Sequence, residues 1–363
     1  MVSARALPLT GGIETHIDEV SRRLVDRGVG VTVLTTDRTG QLPSREVVEG
    51  VKIERYRAWP ANRDYYFSPS LVRSLTPQRF DLAHIQGVHT VTPPHALYAA
   101  TRRGLPTALT FHTGGSSSSF RRMVRRPQWL ALGPAVRAAD SLIAVCEYEV
   151  DYFSQVLGLP RTRFDLVRNG SDPLPVDPTP PSPASGSPLI LSIGRLEKYK
   201  GHHRVIGSMA EVRKRRPDAR LVVVGSGPYE AALRKQVSDL DADDAISFTT
   251  FRSDERGALG AMVNSSDVVA LLSDYEAHPV AIMEALALGV PAVVSDNSGL
   301  AELGRYGIAT TIDPLASAAD VAHAIVSTAS EPPSPSGSFR LQTWDSCVDQ
   351  LLALYQRMWQ CAS

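Results

Sequence analysis

Runs of apolar, β-branched residues alternate along this chain with stretches whose apolar positions recur every three to four residues. Residues 30–36 (GVTVLTT), 81–86 (DLAHIQ), 107–113 (TALTFHT) and 141–145 (SLIAV) read as buried strands. Residues 47–55 (VVEGVKIER) read as a hairpin or a pair of short strands. Residues 2–6 look like the tail of a first strand that opens abruptly. Ile13, Ile17, Val20, Leu24 and Val25 fall at helical spacing, and Gly28 ends that run. Strands separated by helical stretches predict a parallel, doubly wound α/β sheet, whose ligands bind beyond the C-terminal strand ends. Residues 173–188 (PLPVDPTPPSPASGSP) cannot pack as a helix or a central strand and mark a boundary. A second set of strands follows at 189–193 (LILSI), 220–227 (RLVVVGSG), 245–251 (AISFTTF), 267–272 (DVVALL) and 289–294 (GVPAVV). After a loose stretch at 331–338 (EPPSPSGS), residues 344–359 predict an amphipathic terminal helix. The expected organisation is therefore two domains, 1–178 and 189–338, and a terminal segment, 339–363.

Length and charge fit this picture. At 363 residues the chain exceeds one ordinary core and suits two α/β domains. A formal net charge of zero argues against a general binder of nucleic acid or other polyanions. Cys146, Cys347 and Cys361 show neither metal-ligand spacing nor an even disulfide framework, which implies a reducing cytoplasmic setting. No apolar run reaches the roughly 20 residues of a membrane span, and no charged-then-apolar leader opens the chain. Nothing in the pattern fixes an oligomeric state.

The chemistry concentrates in residues 273–289 (SDYEAHPVAIMEALALG), directly after the strand at 267–272. Pro279 suits the start of a helix over 280–288, which Gly289 ends. Glu276 then lies on the loop at the mouth of a strand, and Glu284 lies one to two turns into the helix. Between them the helix N-terminus offers the unpaired N–H groups of Val280 and Ala281 to an anion. Such an arrangement could grip a sugar hydroxyl and a ribose hydroxyl around a diphosphate. The bland alternative is two unrelated surface glutamates. After the strand at 189–193 comes Gly194-Arg195-Leu196-Glu197-Lys198-Tyr199-Lys200-Gly201. A leaving diphosphate needs its growing charge compensated, and Arg195 and Lys200 are the candidate cations. Gly11 and Gly12 before a helix permit close backbone approach to a ligand. Asp241 and Asp243 formally match a D-x-D metal motif but precede a strand rather than follow one, so no metal role is expected.

These segments resemble the retaining glycosyltransferases of family GT4, which have the GT-B fold. The carriers are the Glu276/Glu284 block, Gly194–Gly201 as G-R-x-x-x-x-K-G, Gly11-Gly12-Ile13-Glu14-Thr15-His16 as G-G-x-E-x-H, T-F-H-T around His112 and V-R-N-G at 167–170. The resemblance implies two Rossmann-like domains facing each other across a cleft, with the C-terminal helix crossing back to the first domain. It implies a metal-independent hexosyltransferase, without a cofactor, that uses a nucleotide-diphosphate sugar, a UDP- or GDP-sugar foremost. Glu276 would bind the sugar's hydroxyls and Glu284 the ribose. Arg195 and Lys200 would stabilise the leaving phosphate, with Gly11, Gly12 and Gly194 close to it. Phe251 and Arg252 stand where the base is held, and His112 would contact the reacting sugar, with His16 and His89 as lesser candidates. The family commonly has Gly-Phe-Pro after the first glutamate; Ala277-His278-Pro279 here makes His278 part of the pocket wall. Arg121, Arg122, Arg125 and Arg126, following residues 114–119 (GGSSSS), form either a solvated helix face or a surface for an anionic acceptor or membrane. The acceptor stays open: a lipid carrier, a glycan or a small natural-product core. Other readings are a nucleotide-sugar epimerase or pseudo-glycosyltransferase of the same fold, and a non-catalytic sugar-nucleotide-binding partner.

Overall fold

A computed structural model of the chain describes residues 1–9, 11–61, 66–88, 90–113, 129, 132–178, 187–334 and 340–362. His89, residues 114–119 and Arg121, Arg122, Arg125 and Arg126 lie outside the described residues, as does the Cys361 side chain. The chain divides into two compact units. One gathers Met1–Thr113, the described residues up to Gly170, and the chain from Gln342 on; the other runs Ser171–Leu341.

The first unit holds strands β1 (Thr32–Asp37), β2 (Arg45–Val48), β3 (Val51–Arg57), β4 (Ala83–Gln86), β5 (Thr107–Thr110), β6 (Ser141–Ala144) and β7 (Phe164–Leu166). β2 and β3 form an antiparallel hairpin, and β3 runs parallel to β1. β4 to β7 pair in chain order, all parallel. The strand expected at residues 2–6 reduces to one residue. Val2 bridges Leu34 of β1 and Ile85 of β4, both in parallel sense, and so joins the two groups of strands. All four residues of β4 are buried, and they alternate between its two faces. Ala83 and Ile85 enter an apolar core with Leu71, Leu75, Leu97 and Phe153. His84 and Gln86 point to the opposite face, where Tyr355 of the terminal helix Trp344–Ala362 meets His84. That helix packs on the first one, Gly12–Asp26, through ion pairs from Arg27 to Asp345 and Asp349 at 2.7 and 3.1 Å.

The second unit is one parallel sheet of β8 (Leu189–Ile193), β9 (Arg220–Val224), β10 (Ile246–Thr249), β11 (Val268–Leu271), β12 (Ala292–Ser295) and β13 (Thr310–Ile312). Its order is β10-β9-β8-β11-β12-β13. Alternate residues serve different cores. Ile190, Val268 and Ala270 pack with helices His202–Arg215 and Ala318–Ser330. Leu189, Leu191, Val269 and Leu271 pack with helices Val280–Ala287 and Leu300–Arg305. Strands buried on both faces read as continuous apolar runs, which is how they appear in the sequence. No helix among the described residues is long and apolar enough to cross a membrane.

Candidate functional site

The loop after β8 is shaped by a close approach. Lys198–Lys200 makes one 3-10 turn, and Gly201 takes φ +76. A Cβ on Gly201 would overlap the carbonyl oxygen of Leu272 at the end of β11, so only glycine lets the two strand ends meet there. That approach carries Lys200 to Glu276. Lys200 Nζ donates to Glu276 Oε1 at 2.5 Å, and Ser273 Oγ donates to the same oxygen at 2.9 Å. Both side chains of the ion pair are mostly buried, at 16% and 13% exposure. The loop after β12 closes the other side. The Glu276 N–H donates to Ser298 Oγ, and the Gly299 N–H donates to the Glu276 carbonyl, each at 2.9 Å. Tyr199 and Tyr275 stack beside the pair, with centroids 4.6 Å apart and planes 10° apart.

Helix Val280–Ala287 starts after Pro279, which caps it in extended conformation. Glu284 lies in its second turn, 5% exposed. Arg256 donates to Glu284 Oε1 at 2.7 Å. Sequence reasoning missed Arg256, whose partner stands 28 residues away in no recognisable pattern. His278 is buried, 8% exposed, in the loop before the helix. Arg195 is half exposed and pairs with Glu197 at 2.8 Å rather than with the Lys200–Glu276 group. Arg252 is largely exposed and pairs with Asp254 at 2.6 Å, while Phe251 packs at the margin of the apolar core. The structure therefore gathers Lys200, Ser273 and Glu276 in one cluster and Arg256 and Glu284 in another.

In the first unit, Gly11 precedes helix Gly12–Asp26. His16, one turn in, hydrogen-bonds through Nδ1 to Asn169 Oδ1 at 2.9 Å. Burial lowers the His16 pKa to about 4, against the opposing effect of the Asn169 bond, so the ring is neutral near neutral pH. The His16 and His112 rings lie edge to face with centroids 4.7 Å apart. His112 follows β5 with φ +52, an uncommon conformation for a residue with a Cβ. Its Nε2 meets Gln86 Oε1 at 2.6 Å. Buried Glu149 accepts from the N–H of Thr113 and from the N–H of Val145, the latter at 2.8 Å, tying together the loops after β5 and β6. Gln86 and Glu149 carry no sequence signal of their own; each matters only through the loop it holds. Among the described residues, no three His, Cys, Asp or Glu side chains gather as a metal site.

Two family models match the chain, "Glycosyltransferase Family 4" over residues 10–173 and "Glycosyl transferases group 1" over residues 178–336. A glycogen synthase of Mycobacterium tuberculosis is 26% identical over 351 residues, 85% of this chain and 81% of that protein. A GDP-mannose:cellobiosyl-diphosphopolyprenol alpha-mannosyltransferase of Komagataeibacter xylinus is 26% identical over 348 residues, 89% of this chain and 83% of that protein. Among solved structures, a sucrose-phosphate synthase from Thermosynechococcus elongatus superposes with a TM-score of 0.72 at 18% identity, over 99% of this chain and 96% of that one.

Proposed function

The chain belongs to the family 4, group 1 glycosyltransferases with the GT-B fold, and we propose that it moves a sugar from a nucleoside-diphosphate donor to a hydroxyl acceptor with retention of anomeric configuration and without a metal ion. The observation that supports this reading best is the Lys200–Glu276 pair, mostly buried at adjacent strand ends. It brings an ammonium and a carboxylate side by side, the two groups that a diphosphate next to a sugar ring calls for. Glu276 takes the sugar's hydroxyls. Lys200 faces the β-phosphate, whose charge grows as the glycosidic bond breaks. Glu284, braced by Arg256, takes the ribose. Gly11, Gly12 and the N–H groups of Val280 and Ala281 serve the diphosphate, and His112 the reacting sugar.

No side chain is assigned as general base. The bond from C1 to the phosphate oxygen breaks while the acceptor oxygen bonds C1 on the same face. The acceptor's proton passes to the leaving phosphate. The donor is a UDP- or GDP-sugar; the printed name of the Komagataeibacter relative includes GDP-mannose. The acceptor is a lipid carrier, a glycan or a small natural-product core. A thermal-shift panel of UDP, GDP, ADP and TDP tests the reading first, since a ligand at about 100 times its Kd adds about 2.7 kcal/mol. The stabilising nucleotide then selects the sugar donors for a transfer assay in which NMR assigns the product anomer. Stabilisation by none of the four, or an inverted anomer, would overturn the proposal.

A further inference from the structure

A line of polar side chains crosses the first unit behind His112. His84 and Gln86 share one face of β4, and Thr110 lies opposite Gln86 on β5. Tyr355 Oη meets His84 Nδ1 at 2.6 Å. His84 Nε2 lies 2.7 Å from Thr110 Oγ1 and 3.3 Å from Gln86 Nε2. Gln86 Oε1 in turn lies 2.6 Å from His112 Nε2. Gln86 is 2% exposed and His84 1%.

Protons on this line are strongly constrained. Burial, and then repulsion from His16 and the N-terminal amine, hold His84 well below its ordinary pKa, so its ring carries one N–H. Burial also pushes the Tyr355 phenol above its ordinary range, so the phenol keeps its proton. The Gln86 amide nitrogen faces His84 Nε2, which must then accept, and His84 Nδ1 donates to Tyr355 Oη. The amide oxygen faces His112 Nε2, which must then donate. A rotated amide would set two nitrogens 2.6 Å apart, too short for an N–H···N bond, and would lose this assignment.

We propose that Gln86, held from behind by His84 and by Tyr355 of the terminal helix, is a positioning residue that fixes His112 with a proton on Nε2. The backbone is set by the same logic. The left-handed φ of His112 is kept by its side-chain bond to Gln86 on one side and by the Thr113–Glu149 bond on the other. The kinetic part of this inference rests on the reading in which His112 touches the reacting sugar; the tautomer does not.

The test uses the full chain labelled with 15N at histidine. Ring-nitrogen shifts distinguish an N–H from a lone-pair nitrogen. Wild type is expected to show His112 with its hydrogen on Nε2, and Gln86→Leu to show a mixture of tautomers. Hydrogen on Nδ1 in wild type, or an unchanged tautomer in Gln86→Leu, overturns the proposal. In kinetics, Gln86→Leu and Tyr355→Phe should lower kcat by about tenfold, the worth of one hydrogen bond to stability, with the donor KM nearly unchanged. Gln86→Leu combined with His112→Ala should be no slower than His112→Ala alone, because Gln86 acts through His112. Additive losses would mean a merely structural Gln86 and would sink the relay. Full turnover in His112→Ala would instead remove His112 from the sugar, and the spectrum alone would then decide the relay.

Discussion

Lys200 and Glu276 share one hydrogen-bonded unit in which ammonium and carboxylate stand 2.5 Å apart. Their strands are joined by the Gly201 approach, and Ser273 serves both residues, donating to the Glu276 carboxylate and lying 3.3 Å from the Lys200 carbonyl oxygen. Removing either charge leaves the other mostly buried without its counter-ion, a change that costs more than losing a surface pair. The mechanism assigned above gives the two groups separate duties, and the two can be told apart.

Lys200→Ala should lower kcat by about 10²–10³, the range for removing one preorganised electrostatic donor, while changing the donor KM less. The ammonium gains interaction as the β-phosphate charges, so its loss falls on the transition state. Lys200→Arg should rescue in part, since a planar fork does not replace a compact charge. Steady-state kinetics with a thermal-melt control reads this out. Near-wild-type kcat in Lys200→Ala would take Lys200 out of the mechanism.

Glu284→Ala should weaken nucleoside-diphosphate binding by about 1.5–3 kcal/mol, the worth of a hydrogen bond to a charged group. Glu276→Ala should leave that affinity nearly intact and relax selectivity among donor sugars. Calorimetry with the free diphosphate decides. Equal losses in the two variants would show that the roles are misassigned.

Turnover should survive saturating EDTA. The cation proposed for the leaving group is Lys200, and a side-chain ammonium is indifferent to a chelator. Complete loss of activity that Mg²⁺ or Mn²⁺ restores would contradict this.

Acid should destabilise the second unit through His202. Burial lowers its pKa to about 4 from the ordinary 6.5, despite a bond to the Arg195 carbonyl. Between those values the unfolded chain binds a proton that the folded chain does not. Stability is therefore complete above about 6.5 and falls as pH drops towards 4, by up to about 1.4 kcal/mol per pH unit for this group. His16 in the first unit, also lowered to about 4, adds the same sign. His202 Nδ1 lies 2.8 Å from Ser192 Oγ, and His202→Asn, which keeps a polar group there without an ionisable ring, should flatten the pH dependence of the melting temperature. An equally steep dependence in that variant would show that other groups carry the acid lability.

Strands buried on both faces announce themselves as apolar runs, and β8, β9 and β11 were legible for that reason. The three-residue strands β7 and β13 were not, since FDL and TTI are too short for any periodicity. Val2 bridges two groups of strands alone, and one residue has no pattern. At the candidate site, Glu276, Glu284 and Lys200 stood out because glycines and proline fix their surroundings locally. Arg256 and Gln86 act through partners brought close by tertiary packing. His84 and Tyr355, 271 residues apart, meet only once the terminal helix is in place. Arg195 and Arg252 pair with Glu197 and Asp254, each only two residues further along the same segment.

The first unit draws on both ends of the chain, and this sets an order of events during synthesis. The last strand of the second unit ends at Ile312, so all six strands of its sheet are made before the terminal helix begins at Trp344. The first unit must wait. Until Trp344 reaches His16 and Tyr355 reaches His84, the polar face of β4 has no cover and the first helix lacks Asp345 and Asp349 as partners. The part of the protein made first is thus the part finished last, and a nascent chain stalled before residue 344 should expose that face to chaperones or proteases.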